Sequence, residues 1–238
     1  RKASDLVSLQ SEIARDVSSK LKSKLSSAEA ASVEKNYTAN NEAYQLYLKG
    51  RFHWNKRQIP EFEKAVAFFK QAIEKDPNYA LAYSGLADTY AVFPIYGDFR
   101  TKDYSPQAKQ AALKALELDP NLAEAHTSLA LIISTYEFDF AAAERSLKRA
   151  IELDPNYATA HQIYALLLWA SSRHDEASRE LAKAIELDPF SLDINRNTVP
   201  QLQYAARYDE ALLQAKKRNE LFPSEVEFHI FNSRVYDE

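Results

Sequence analysis

The chain has 238 residues with a net charge of −4, 46% apolar and 27% charged residues, three glycines and no cysteine. That balance belongs to an ordered globular protein; its acidic excess gives no electrostatic reason to expect nucleic acid, and no run nears the about 18 apolar residues of a membrane span. Without cysteine there are no disulfides, thiolate nucleophiles or cysteine zinc sites, and the scattered Gly50, Gly85 and Gly97 cannot build a phosphate loop or a dinucleotide fingerprint.

In chain order, Leu6, Leu9, Ile13, Val17, Leu21 and Leu25 step by three or four, which predicts an amphipathic helix over 3–26. A Ser/Ala/Asn-rich connector follows, so residues 1–40 form a segment distinct from the rest. The leucine stripe either packs on the element that follows or pairs with its copy in a dimer. Steps mostly of four drift off a coiled-coil seam and favour packing. From residue 41 one phrase recurs: Glu117-Leu118-Asp119-Pro120-Asn121, Glu152-Leu153-Asp154-Pro155-Asn156 and Glu186-Leu187-Asp188-Pro189-Phe190, with weaker copies ending in Asn78 and Ser224. Pro155, Pro189 and Pro223 stand 34 residues apart, Pro120 and Pro155 stand 35 apart, and Pro77 and Pro120 stand 43 apart. Between prolines the apolar residues follow helical spacing in two stretches split by a short polar break. Each Asp-Pro should end a helix, because proline disfavours helical geometry in the residue before it, and the Asn or Ser after it is suited to cap the next. A small residue recurs twelve before each proline (Ala65, Ala108, Ala143, Ala177, Ala211). A second recurs five before (Ala72, Ala115, Ala150, Ala184), with Arg218 the exception.

The expected elements are five helical hairpins over 41–76, 79–118, 122–153, 157–187 and 191–221. A sixth first helix over 224–236, carrying Val226, Phe228, Ile230, Phe231 and Val235, lacks a partner. With a start at Arg1 and an end inside a helical pattern, the sequence reads as an excised piece of a longer protein. The nine-residue insertion of the 43-residue interval falls within 91–106 and carries Phe93, Tyr96, Phe99 and Tyr104. Pro94 is expected to end the first helix there, and Ser105-Pro106 to cap and start the second. Four aromatics exceed what a solvated loop needs, so they either fold back on the adjacent repeat or form a partner-facing patch.

The 34-residue beat resembles the tetratricopeptide repeat. The family's first-helix pattern is matched by Tyr83, Leu86, Ala87 and Tyr90, and by Leu129 and Ala130, where His126 and Ile133 replace aromatics. The recurring alanines and closing prolines match its second helix. Asn195, Thr198, Val199 and Arg218 depart from it. The resemblance covers residues 41–238 and implies an all-α, right-handed α-α superhelix, preceded here by the N-terminal helix, with no cofactor and no enzymatic role. The first fifty or so residues are similar to a junction in bacterial multidomain signalling proteins, where a regulatory domain precedes a repeat array.

In the family the first helices line a concave groove that holds partner peptides. Carried over, the lining is Tyr47 and Arg51, then Ser84 and Asp88, then Thr127 and Leu131. It continues with Gln162, Leu166 and Trp169, and ends with Arg196, Gln203 and Tyr204. The lysine/asparagine clamp that some members close on a C-terminal carboxylate is not reproduced at Tyr47, Arg51, Ser84, Asp88 and Glu124. Trp169, Leu166 and Tyr204, edged by Arg196, read as an apolar anchor, with simple packing of Trp169 on its neighbour as the alternative. His53, His126, His161, His174 and His229 form no metal-ligand spacing, and His126 and His161 take equivalent packing positions. The expected partner is a protein or peptide, not nucleic acid, bound by a monomer or weak homodimer. The rival reading is self-association through the N-terminal helix or the insertion.

Overall fold

A computed structural model describes residues 38–97, 99–204 and 207–222. These hold ten α-helices and no strand, in two compact units that divide after Pro155. The first unit contains α1 (Asn41–Trp54), α2 (Ile59–Lys75), α3 (Ala80–Tyr96), α4 (Thr101–Leu118), α5 (Ala123–Ile132) and α6 (Phe140–Leu153). The second contains α7 (Ala158–Ala170), α8 (His174–Leu187), α9 (Leu192–Tyr204) and α10 (Tyr208–Leu221). Successive helices pair as antiparallel hairpins, and the first helices α1, α3 and α5 contact one another in turn, as do α7 and α9. The all-α class is the one the proline beat predicts. The predicted helix over 3–26, its connector and the predicted helix over 224–236 lie outside the described residues.

The Asp-Pro phrase works by two local effects. Asp76, Asp119 and Asp154 hold extended φ values of −143°, −139° and −139°, as the following proline requires. Each donates its N–H to the carbonyl of the alanine four residues earlier, which closes the last helical turn. The expectation that Asn78 and its counterparts cap the next helix is corrected. Asp76 and Asp119 accept the backbone N–H of Asn78 and Asn121 at 3.0 Å in Asx-turns, and the N-caps fall one residue later, on Tyr79 and Leu122. The asparagine's backbone is already used by the aspartate behind it.

Within the hairpins, the turn from first to second helix passes through a left-handed residue: Arg57 (φ 53°), Phe138 (57°) and Ser172 (60°). None is glycine, so each accepts a conformation that L-residues disfavour. The 35-residue interval has a visible cause here. Residues Ile133–Glu137, which extend α5, form a π-helical turn that absorbs the one extra residue without moving the next helix out of register.

The recurring alanines sit where second helices meet first helices. Ala65, Ala72, Ala108, Ala115, Ala143 and Ala150 are all fully buried, as are Ala184, Ala211 and Ala215. Phe69 is the largest feature of the first core. Its ring lies against Gly50 of α1 and Gly85 of α3, and a Cβ added at either would fall 2.5–2.6 Å from it. The glycines are needed for that approach and not for any special backbone angle.

The insertion departs from expectation. Helix α3 runs through Pro94 to Tyr96, and α4 begins at Thr101, ahead of Ser105-Pro106. Proline near the end of a helix forfeits one hydrogen bond, and aromatic packing outweighs that loss. Phe93 stacks on Tyr104 at 4.8 Å and meets Phe99 edge-on at 5.3 Å; Tyr96 meets Phe62 edge-on at 5.3 Å. These contacts need both helices extended by a turn. The aromatics therefore fold back, and the insertion-patch reading of Phe93, Tyr96, Phe99 and Tyr104 is corrected: Phe93 is buried and the other three pack against the same core.

Candidate protein-binding face

In the first unit, helical spacing places Tyr47 and Arg51 one turn apart on α1, Ser84 and Asp88 one turn apart on α3, and Glu124 and Ser128 one turn apart on α5. Asp88 is the hub. Arg51 Nη1 donates to its Oδ2 at 3.2 Å, and Ser128 Oγ donates to its Oδ1 at 2.5 Å. Ser84 Oγ lies 3.3 Å from Ser128 Oγ, so one polar chain crosses three first helices. Burial pushes the Asp88 carboxyl above its ordinary range, and the Arg51 charge and the Ser128 hydrogen bond oppose that rise. Burial likewise pushes the Tyr47 phenol up to about 12, with Arg51 acting against it. The Tyr47 ring leans on Phe69 and Tyr79 at 5.8 and 5.3 Å. The guanidinium groups of Arg51 and Arg57 lie 4.2 and 3.5 Å from the Trp54 ring centroid.

The structure thus brings Tyr47, Arg51 and Asp88 together but not Thr127. Thr127 is buried, with its hydroxyl proton donated to the Ala123 carbonyl at 2.9 Å within the helix, so it lies off the accessible face. Ser128 takes the place assigned to it. Counting from the proline aligned Thr127 with Ser84; the one-turn spacing from Glu124 is the signal that selects Ser128. Leu131 is partly buried against the first core.

In the second unit Gln162 Nε2 donates to Asp193 Oδ2 at 3.0 Å, a bond from α7 to α9 that ties first helices together as Asp88 does. Every residue of α7 from Ala160 to Leu168 is buried except Leu166. Leu166 and Trp169, three residues apart on one side, remain partly accessible, as do Arg196 and Gln203 on α9. Gln162 is itself buried, so it braces the face more than it lines it. Tyr204 ends α9, and its side chain lies outside the described residues. His161 is buried with Nδ1 2.6 Å from Glu180 Oε2, in keeping with a packing role.

Other features lie off these faces. Glu61 on α2 gathers Lys56, Lys64 and His53 at 2.8, 2.5 and 2.8 Å, and those hydrogen bonds, Lys56 first, hold its carboxyl down at about 2. A cavity of about 630 Å³ opens between α2, α3 and α4, lined by Lys70, Tyr83, Leu86, Tyr90 and Leu113 among others. None of the predicted groove residues lines it. Among the described residues no cluster of His, Asp and Glu could hold a metal ion, and no helix is long and apolar enough to cross a membrane.

Stacked antiparallel hairpins with small residues at fixed helix crossings define a helical-repeat protein. Residues 135–194 match the tetratricopeptide-repeat family model. The fold matches TTC0263, a thermophilic repeat protein of Thermus thermophilus, with a TM-score of 0.67 at 18% identity over 82% of this chain and 100% of that one. It also matches PilW, a type IV pilus biogenesis factor, with a TM-score of 0.61 at 14% identity over 82% of this chain and 84% of that one. Residues 135–194 thus carry tetratricopeptide-repeat sequence, and the described residues share the helical-repeat fold of these proteins. Over 91 residues the chain is 30% identical to the transcriptional regulator HilA of Salmonella typhimurium, a match spanning 38% of this chain and 16% of the regulator.

Proposed function

We propose that the chain binds a protein partner through the accessible faces of its first helices, as the interaction arm of a larger regulator, and performs no chemistry of its own. The observation that carries this reading is on α7. In a helix otherwise buried from Ala160 to Leu168, Leu166 and Trp169 stay accessible side by side, with Arg196 of the adjoining α9 also accessible. An aromatic with a leucine and an arginine is the composition of an interface hot spot. The polar chain through Gln162 and Asp193 holds α7 to α9, so the face is formed before a partner arrives and little ordering entropy opposes binding. The regulator assignment rests on the junction-like first fifty residues and on the partial likeness to a transcriptional regulator.

The test is affinity for the purified natural partner by calorimetry. Trp169→Ala and Arg196→Glu should each weaken binding roughly tenfold or more, about 1.4 kcal/mol, with an unchanged helical spectrum. Two folded variants that bind as the parent does would remove α7 and α9 from the interface.

A further inference from the structure

The first hairpin leaves an apolar stripe exposed on its outer side. Gln45, Leu48, Lys49 and Phe52 stand at positions i, i+3, i+4 and i+7 of α1, on the side turned away from the buried Ala43, Gly50 and Trp54. Phe52 is 60% exposed and Leu48 37%. Phe68 of α2 widens the stripe: its ring stacks on His53 at 5.2 Å, and His53 meets Phe52 edge-on at 5.3 Å. The stripe carries a charge gradient. Lys49 Nζ lies 5.8 Å from the Phe68 ring centre and Lys56 Nζ 4.6 Å from that of Phe52. Lys56, Lys64 and His53 share the single carboxylate of Glu61, and no Asp or Glu occurs between Ala43 and Pro60. The other end of the hairpin is acidic, with Glu42, Glu74 and Asp76 against Lys75.

The sequence ahead of α1 has the complementary pattern. Leu6, Leu9, Ile13 and Val17 make its apolar stripe, and Ser4, Ser8, Ser11 and Ser18 fall on the opposite side of the same helical wheel. Residues 5–17 hold Asp5, Glu12 and Asp16 against Arg15 alone, whereas residues 18–25 hold Lys20, Lys22 and Lys24 and no acid. Both this segment and α1 therefore run from acid to base in chain direction, so they complement each other only when antiparallel. The tether is compatible with that. Thr38 Oγ1 donates to Asp76 Oδ2 at 2.5 Å and Asn40 Nδ2 to the Lys75 carbonyl at 2.7 Å, which fixes the entry to α1 at the acidic end. Residues 26–37 can span up to about 40 Å, against a length of about 21 Å for α1, so the connector allows either direction and the charges choose. Asp16 and Glu12 lie nine and thirteen residues before Leu25, and Lys49 and Lys56 lie eight and fifteen residues after Asn41.

We infer that residues 5–25 of this same chain dock as a helix on the Leu48–Phe52 stripe, antiparallel to α1. Asp16 and Glu12 then face Lys49 and Lys56, and Lys20 to Lys24 face Glu42 and Glu74. A tether of this length holds the segment at roughly millimolar effective concentration, so a stripe with few apolar anchors is enough to keep it bound. The docked segment turns its serine side outward and closes the first hairpin with a polar surface, as the end of a repeat array requires. The inference is independent of the partner-binding face on α7 and α9, with which it shares no residue.

The chain has no cysteine, so a nitroxide can be placed at one site. Attached through Ser8→Cys on the full 238-residue chain, it should broaden the backbone amide NMR signals of Phe52 and Lys56 at least severalfold more than that of Ala43. Asp16→Lys should cut that broadening severalfold, and adding Lys49→Glu should restore it, a rescue that neither simple tethering nor loss of folding would give. Phe52→Ser should abolish it while the signals of α7 and α9 stay in place. Nitroxide on an isotopically unlabelled chain, mixed with an isotope-labelled chain that lacks it, should broaden nothing. Broadening between chains would mean that a second copy is the occupant and would overturn the inference. So would stronger broadening at Ala43 than at Phe52, no broadening, or a charge exchange without rescue.

Discussion

Replacing Gly85 or Gly50 by alanine tests how the first core is fitted together. A methyl group at Gly85 would sit 2.6 Å from Phe69 Cε1 and Cζ, and one at Gly50 would sit 2.5 Å from Cε1. Carbon atoms pack best at about 3.5–4.0 Å, so either methyl demands about an ångström of retreat from a ring with no exposed surface. Overpacking of this kind costs about 1–3 kcal/mol. Both glycines lie inside helices, where alanine recovers about 1 kcal/mol of propensity, so each single variant should be destabilised by about 0–2 kcal/mol. Both methyls would crowd the same ring atoms, Cε1, Cδ1 and Cζ of Phe69, so the two substitutions share one partner and the double variant should depart from the sum of the singles by about 0.5 kcal/mol or more. Urea unfolding followed through Trp54 fluorescence reads the first unit, and a Trp169-only variant (Trp54→Phe) reads the second and should show no shift. Phe69→Leu should shrink the penalty of Gly85→Ala. If Gly85→Ala instead raises stability by the full helix-propensity gain of about 1 kcal/mol, the close-approach reasoning is wrong.

Three further outcomes follow from charges. Glu61, held at about 2 by its three basic partners, contributes stability that is present above its unfolded value and lost as pH falls toward 2. Glu61→Gln should lower the urea midpoint at pH 6 and match the parent near pH 2. Asp88, raised by burial, behaves oppositely: its contribution is present below the unfolded value of about 3.9 and is lost as pH rises through the raised one. Asp88→Asn should thus gain on the parent between pH 4 and pH 7, measured by the same midpoints. Burial lowers the Arg218 guanidinium to about 10, so its charged form is disfavoured in the fold, and Arg218→Met should leave the thermal midpoint unchanged or raise it by about 1 kcal/mol equivalent.

The proline beat made the helical-repeat class legible, because Asp-Pro geometry and recurring alanines are local effects that act within each unit. Where neighbours decide, local rules failed. Pro94 and Ser105-Pro106 carry sound stop and start signals, yet ring contacts among Phe93, Phe99 and Tyr104, with Tyr96 on Phe62, override both. The nearest polar residue to Asp88 could not be counted from a proline, because Thr127 and Ser128 differ only in which side of α5 they occupy. The extra residue between Pro120 and Pro155 was visible as a number, but its resolution as a π-helical turn depends on keeping α6 in register.

The most direct measurement of the central claim is site-specific photo-crosslinking in cells that make this protein. A photoreactive phenylalanine analogue is placed either at Leu166, on the accessible side of α7, or at Leu213, which is 52% exposed on the second helix α10. The account predicts a discrete crosslinked partner from position 166 that is lost on adding Arg196→Glu, and none from position 213. Equal adducts at both positions, or a partner captured from position 213 alone, would contradict binding through the first helices.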